Sequence, residues 1–201
     1  MKKLAVVFGL IFVLGSFTSA SAMDQTGKFA IGGHFGYSFG FGDVFDEYEW
    51  AGQWGTEYVV VKYQNKVTYS FLGNVKFWVS PTWALLGAVD YQAGEVDVTG
   101  SIADLSTGIS ESYDWTSVIG NVVYTIPTQT WTCPYLTAGG GIYFNDDISE
   151  PGINLGGGIE HFFQDNLALD VGTRYHMIFT EEERTNYLNL YAGLNYYFGV
   201  K

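Results

Sequence analysis

The chain has 201 residues, with nine Lys or Arg against 21 Asp or Glu, 26 Gly, 15 Tyr, 15 Phe, four Pro and one Cys. Its formal charge of −12 argues against nucleic acid and against anionic headgroups as partners of the bulk surface, because both attract basic patches. The lone Cys133 leaves no internal disulfide, and abundant Gly and aromatics with scarce Pro point to strands in one domain rather than to disorder.

Lys2 and Lys3 precede an apolar run from Leu4 to Leu14, and Ala20-Ser21-Ala22 supplies the small residues that a signal peptidase needs. The run is shorter than the roughly 20 apolar residues of a spanning helix, so residues 1–22 read as an export signal and 23–201 as the mature domain. The mature part keeps seven basic residues against 21 acidic ones, a formal charge of −14, and no Cys at the cleavage site supports a lipid anchor. No later stretch is apolar for long enough to span as a helix, so entry into a membrane requires strands.

Period-two alternation runs through eight segments. The first sets Phe29, Ile31, Gly33, Phe35, Tyr37, Phe39 and Phe41 against Ala30, Gly32, His34, Gly36, Ser38 and Gly40. The second sets Val67, Tyr69, Phe71, Val75 and Phe77 against Thr68, Ser70, Leu72, Asn74 and Lys76, and ends in the turn Ser80-Pro81-Thr82. The third sets Trp83, Leu85, Val89 and Tyr91 against Ala84, Leu86, Ala88 and Asp90. Its alternation slips near Glu95, where Val96 and Val98 take the other parity, and this predicts a bulge or a strand end there.

The fourth segment, 113–126, puts Val118, Val122, Tyr124 and Ile126 opposite Ser117, Asn121 and Thr125. The fifth opposes Leu136, Ala138, Ile142 and Phe144 to Tyr135, Thr137 and Tyr143, and the sixth opposes Ile153, Leu155 and Ile159 to Asn154 and Glu160. The seventh places Leu167, Leu169, Val171, Tyr175 and Met177 against Ala168, Asp170, Arg174 and His176. The eighth places Leu188, Leu190, Leu194, Tyr196 and Phe198 against Asn189, Tyr191, Gly193, Asn195 and Tyr197.

Connections at 80–82, 127–132 and 164–166 are short, while those at 42–65, 95–112, 145–151 and 180–186 are mostly longer and polar. Strict alternation of short and long connections predicts an all-β fold, an eight-stranded antiparallel up-and-down transmembrane barrel. A soluble barrel would carry Lys, Glu and Gln on its weaker face, whereas this face holds mostly Gly, Ala, Ser, Thr, Asn and Tyr, sizes that a narrow lumen accepts. The bulky face must then meet lipid, with aromatics such as Phe39, Phe77, Trp83, Tyr91, Trp115, Tyr124, Phe144 and Tyr175 gathered near strand ends, those facing lipid forming the two girdles.

Tyr191-Ala192-Gly193-Leu194-Asn195-Tyr196-Tyr197-Phe198 resembles the C-terminal targeting strand of outer-membrane barrels, with Tyr191, Gly193, Tyr196 and Phe198 as its marks, although Gly199-Val200-Lys201 follows the last aromatic. Gly156-Gly157-Gly158-Ile159-Glu160-His161-Phe162, Asn166-Leu167-Ala168-Leu169-Asp170 and Arg174-Tyr175 are similar to the sixth and seventh strands of the small OmpA/OmpX/opacity-type barrels. The resemblance implies an outer-membrane location, assembly by the barrel-assembly machinery, and a role among adhesion, surface shielding or structural anchoring.

Lys76, Asp90, Glu160, Asp170, Arg174 and His34 all take the inward parity. A charge in a narrow lumen is costly unless paired, so we expect an internal network in which Lys76 and Arg174 compensate Glu160 and Asp170, plugging the barrel in preference to lining a proton or ion path. Sixteen of the 21 acids fall in or beside the outer connections, among them Asp43, Glu57, Glu95, Asp97, Glu111, Asp114, Glu150 and Glu181. They read as solvated, mutually repelling loops able to meet an extracellular ligand, the alternative being Ca²⁺ or Mg²⁺ bridged to lipopolysaccharide phosphates; no loop carries a spaced calcium motif.

An enzyme needs a nucleophile, a base and an orienting acid near one rim; of His34, His161 and His176 only His176 is both inward and close to the outer rim, with no His-x-Ser pair. Gly139-Gly140-Gly141 and Gly156-Gly157-Gly158 open no helix and read as crowded interior, not phosphate cradles. We therefore expect no catalysis, cofactor, metal or nucleic acid, a monomer in outer-membrane lipid and lipopolysaccharide, and as the alternative role a small channel for solutes or hydrophobic molecules.

Overall fold

The computed structural model describes residues 25–41, 48–54, 57–65, 68–102, 105–145, 148–179 and 184–199. The export segment 1–22 and the acids Asp43, Asp46, Glu47, Asp104, Asp146, Asp147 and Glu181 to Glu183 lie outside the described residues.

The chain forms β1 (Phe29–Phe41), β2 (Tyr48–Trp54), β3 (Glu57–Asn65), β4 (Thr68–Trp78), β5 (Trp83–Ile102), β6 (Leu105–Thr125), β7 (Thr132–Asn145), β8 (Ile148–Gln164), β9 (Leu167–Phe179) and β10 (Arg184–Phe198). Eight of these close an antiparallel barrel: β1 pairs with β4 and β10, neighbours pair in sequence order from β4 to β10, and the first and last strands meet at Phe29↔Phe198. The two remaining strands form a hairpin above the barrel, in which β2 pairs with β3 and β3 pairs with the far end of β5 from Val59↔Ile102 to Asn65↔Val96.

Alternation in sequence becomes alternation in environment. Along β4 every inward residue from Thr68 to Trp78 is buried and every outward one is exposed or half-exposed. Outward Ile31, Leu85, Leu136 and Leu155 are 51 to 64% exposed, an arrangement that only hydrocarbon makes favourable at about 25 cal/mol per Å². Aromatic pairs ring the two ends of this band. At the short-turn end Phe29 packs on Phe77 at 4.6 Å and Trp83 on Tyr124 at 4.8 Å; at the other, Phe35 packs on Phe71 at 5.2 Å and Tyr37 on Phe39 at 4.7 Å. Trp115 takes no part in the girdles, because its parity is inward and it packs against the interior cluster.

The short turns are tight for local reasons. Ser80 Oγ accepts the backbone N–H of Trp83 at 3.1 Å, and Thr82 O accepts that of Thr125 at 2.8 Å, so these bonds hold the reversal at Ser80-Pro81-Thr82.

Two expectations about the connections need correction. No bulge or strand end occurs at Glu95: the β5–β6 register runs unbroken from Trp83↔Tyr124 to Ile102↔Leu105, and the irregularity lies instead between Phe162 and Gln164 in β8. What changes at Glu95 is the solvent. Above Tyr91 the outward side of the barrel leaves hydrocarbon for water, so the sequence pattern changes phase there while the backbone register does not. The connection 42–65 likewise contains a strand pair, so a four-stranded sheet, β2-β3-β5-β6, stands beyond the membrane where open loops were expected.

Candidate functional site

The lumen holds most of the chain's buried polar chemistry. Lys76 on β4 is 1% exposed, and its Nζ lies 3.2 Å from both Oε1 and Oε2 of Glu160 on β8, itself 2% exposed. Trp78 and Tyr135 rings flank the ammonium at 5.9 and 5.5 Å, so its remaining protons meet π faces. Asn195 on β10 joins the two buried acids: its Nδ2 donates to Glu160 Oε1 at 2.7 Å and to Asp170 Oδ2 at 3.1 Å.

Asp170 on β9 is bonded from two further sides. His34 Nε2 lies 3.2 Å from Oδ2, and Asn74 Nδ2 donates to His34 Nδ1 at 3.1 Å, which leaves the ring proton on Nε2, directed at Asp170. Tyr135 Oη donates to Asp170 Oδ1 at 2.8 Å; its one proton is then spent, so Tyr191 donates to Tyr135 across their 2.8 Å contact. Charge-assisted bonds on both carboxylate oxygens fix this centre more firmly than neutral pairs would.

Arg174 does not take the part expected of it. It is 3% exposed, its guanidinium lies 5.4 Å from the Tyr191 ring centroid, and its Nε and Nη1 have no hydrogen-bond partner among the described residues. Glu160 is compensated by Lys76, while Asp170 is held by hydrogen bonds with His34, Tyr135 and Asn195, so parity placed the charges in the lumen but did not give their heights along it. Asp90 stands apart, accepting from Gln92 Nε2 at 3.3 Å.

Toward the outer rim His176 stacks on Tyr187 at 4.3 Å, and its Nδ1 meets the Tyr143 hydroxyl at 2.8 Å. Toward the short-turn end Phe162 packs on Tyr197 at 5.1 Å beside buried Trp78, Ala30, Ala84 and Ala168. Between these layers, among His34, Asn74, Lys76, Tyr135, Asp170 and Arg174, a cavity of about 10 Å³ leaves room for roughly one water. Two glycines make the crowding sterically feasible. A β-carbon on Gly172 would sit 2.6 Å from Tyr191 Oη, and one on Gly158 would sit 2.6 Å from Tyr135 Oη.

The residues marking the targeting strand divide between two environments. Tyr196 and Phe198 face outward and are 52 and 44% exposed, Tyr191 belongs to the lumen network, and Gly193 abuts His34. Sequence reasoning gave Asn74, Asn195 and Tyr135 their inward parity but no role; a polar residue at mid-strand on the inward side was the available signal.

The family model described as "Outer membrane protein beta-barrel domain" matches residues 8–198. The chain belongs to this family. It is accordingly a protein of the Gram-negative outer membrane, and barrels of this kind keep short turns on the periplasmic side and longer connections outside. Solved structures show the same fold at low identity. Neisserial surface protein A is 17% identical over 84% of this chain and 96% of its own, with a TM-score of 0.57. The outer-membrane protein OprG of Pseudomonas aeruginosa is 11% identical over 90% and 100%, at 0.55. Ail, the attachment invasion locus protein of Yersinia pestis, solved with the heparin analogue sucrose octasulfate, is 13% identical over 86% and 99%, at 0.52. No curated protein sequence matches the chain.

Proposed function

We propose that this protein is a non-catalytic surface barrel whose lumen is closed by its own side chains and whose acidic extramembranous sheet and loops engage a positively charged partner. The observation that supports closure is the enclosed network from Lys76 through Glu160, Asn195 and Asp170 to His34, which leaves room for roughly one water. A site so filled admits no substrate. The sign of the partner follows from the outer connections: residues 93–116 carry Glu95, Asp97, Asp104, Glu111 and Asp114 with no Lys or Arg.

This chemistry opposes that of a polyanion such as the sucrose octasulfate bound by Ail. In this reading the chain is processed after Ala22 and recognised for assembly through its last strand by the barrel-assembly machinery. It then stands as a monomer in outer-membrane lipid and lipopolysaccharide.

Two measurements on the full barrel in lipid test it. Planar bilayers should show no stepwise conductance, and steady channels would restore the alternative of a conduit for small solutes. Nanodisc-held protein should retain polylysine and not sucrose octasulfate, with retention weakening as salt rises; the reverse preference would overturn the assignment of partner charge.

A further inference from the structure

The lowest layer of the lumen is covered from beneath. Trp78, Phe162 and Tyr197 stand where the barrel meets its short turns, yet they are only 2 to 3% exposed, and Ala30, Ala84 and Ala168 of the same layer are at 0%. An open mouth would leave these groups wet. Two stretches among the described residues lie at this end of the lumen. One contains Trp131, whose C=O accepts Phe162 N–H at 2.8 Å, and the other is the lead-in to β1.

The lead-in is a turn folded against the end of β4. Lys28 N–H donates to Gln25 O at 2.9 Å, closing four residues, and Gly27 at the third position has a φ of +76°, the left-handed conformation that such a turn demands. Gly27 N–H donates to Trp78 O at 2.9 Å and Trp78 N–H to Lys28 O at 3.1 Å, which ties the turn to the strand. The reversal keeps Gln25 at the base of the barrel, where it is 3% exposed. Its side chain gains no bond there: neither Nε2 nor Oε1 has a hydrogen-bond partner among the described residues. Water would satisfy both atoms if the turn lifted, whereas seating buries them unpaired.

From this geometry we propose that residues 25–28 form a strap that closes the short-turn mouth of the lumen and is poised to lift. Burial and the backbone bonds to Trp78 hold it down, and the stranded amide of Gln25 favours release. Beneath its cover lie the lower lumen and the thiol of Cys133, the chain's single cysteine. Cys133 is half-buried, packs against the interior cluster and is the register partner of Glu160. The strap therefore sets how readily periplasmic water and thiol reagents reach Cys133 and the Lys76–Glu160 pair. The inference goes beyond the closed centre and does not depend on it, because the bonds of Asp170 to His34 and Tyr135 stay in place when the strap lifts.

Two substitutions push the strap in opposite directions. Gly27→Ala adds only a β-carbon that meets nothing within 4 Å, so it acts by disfavouring the positive φ. Gln25→Leu keeps most of the bulk and removes the unpaired amide. With the full barrel in nanodiscs, amide exchange at Trp78 reports the bond to Lys28, and maleimide labelling of Cys133 reports access to the mouth. Gly27→Ala should speed both by about fivefold, and Gln25→Leu should slow both by a similar factor. The amide of Leu72, at mid-strand in β4, should exchange at the wild-type rate in all three proteins.

Wild-type rates at both sites in Gly27→Ala would overturn the strap. So would labelling of wild-type Cys133 as fast as in the urea-unfolded chain, since the mouth would then stand open. Faster Trp78 exchange in Gln25→Leu would overturn the part given to the amide. Should the thiol stay unlabelled in every variant, Trp78 exchange alone decides, and an unchanged rate in Gly27→Ala overturns the proposal.

Discussion

Each buried charge of the lumen matters through the partner it keeps. Glu160→Gln would leave Lys76 enclosed without the carboxylate it bonds, a loss of about 3–5 kcal/mol by comparison with other broken buried pairs. The double variant Lys76→Met with Glu160→Leu should recover most of that loss, because an apolar pair has no desolvation to offset. Urea titrations in detergent micelles, read by tryptophan fluorescence, check both, and a midpoint for Glu160→Gln equal to the wild type would show that the pair contributes nothing. Arg174→Met should move the midpoint less than Glu160→Gln, since Nε and Nη1 of Arg174 make no hydrogen bond to lose. The parity of Lys76, Glu160, Asp170 and Arg174 was legible in the sequence. Which cation meets which anion was not, because pairing depends on strand stagger around the barrel, and that emerges only when register is known: β9 carries Arg174 two pleats above Asp170, with Gly172 between them.

At the scale of a strand, the sequence predicted alternation well wherever one side met lipid and the other the packed lumen, as in β4 and β10. It misled at Glu95, where the pattern changed phase though the strand did not, because parity reports the solvent on each side and not the backbone alone. The β2–β3 hairpin was missed for a related reason: its residues Tyr48 to Asn65 lie above the membrane, where no lipid imposes a contrast between sides. Glycines inside strands were read as crowding, and Gly172 gives that reading a test. Gly172→Val would drive carbon into the hydroxyls of Tyr191 and Tyr135, and we expect a loss of about 1–3 kcal/mol, seen as a lower urea midpoint. Gly33→Val, whose β-carbon meets nothing within 4 Å, is the control and should leave the midpoint within about 0.5 kcal/mol of wild type.

For the whole molecule the membrane is the second solvent of folding, and the outward side can be probed directly. Leu155 is 64% exposed on β8, and Leu155→Arg should cost about 2–4 kcal/mol if it lies near mid-bilayer, with little effect on a partner bound at the outer sheet. Reversible unfolding into lipid vesicles measures that cost, and a neutral result would remove Leu155 from the hydrocarbon. The closing seam carries a further consequence. Phe29 meets Phe198, and the central carboxylates are held by His34 from the first strand and Asn195 from the last. Until β10 has been exported, Glu160 and Asp170 lack a shared clasp and the cylinder has no last stave. The chain must therefore wait, unsealed and shielded from premature collapse, for its own tail to arrive.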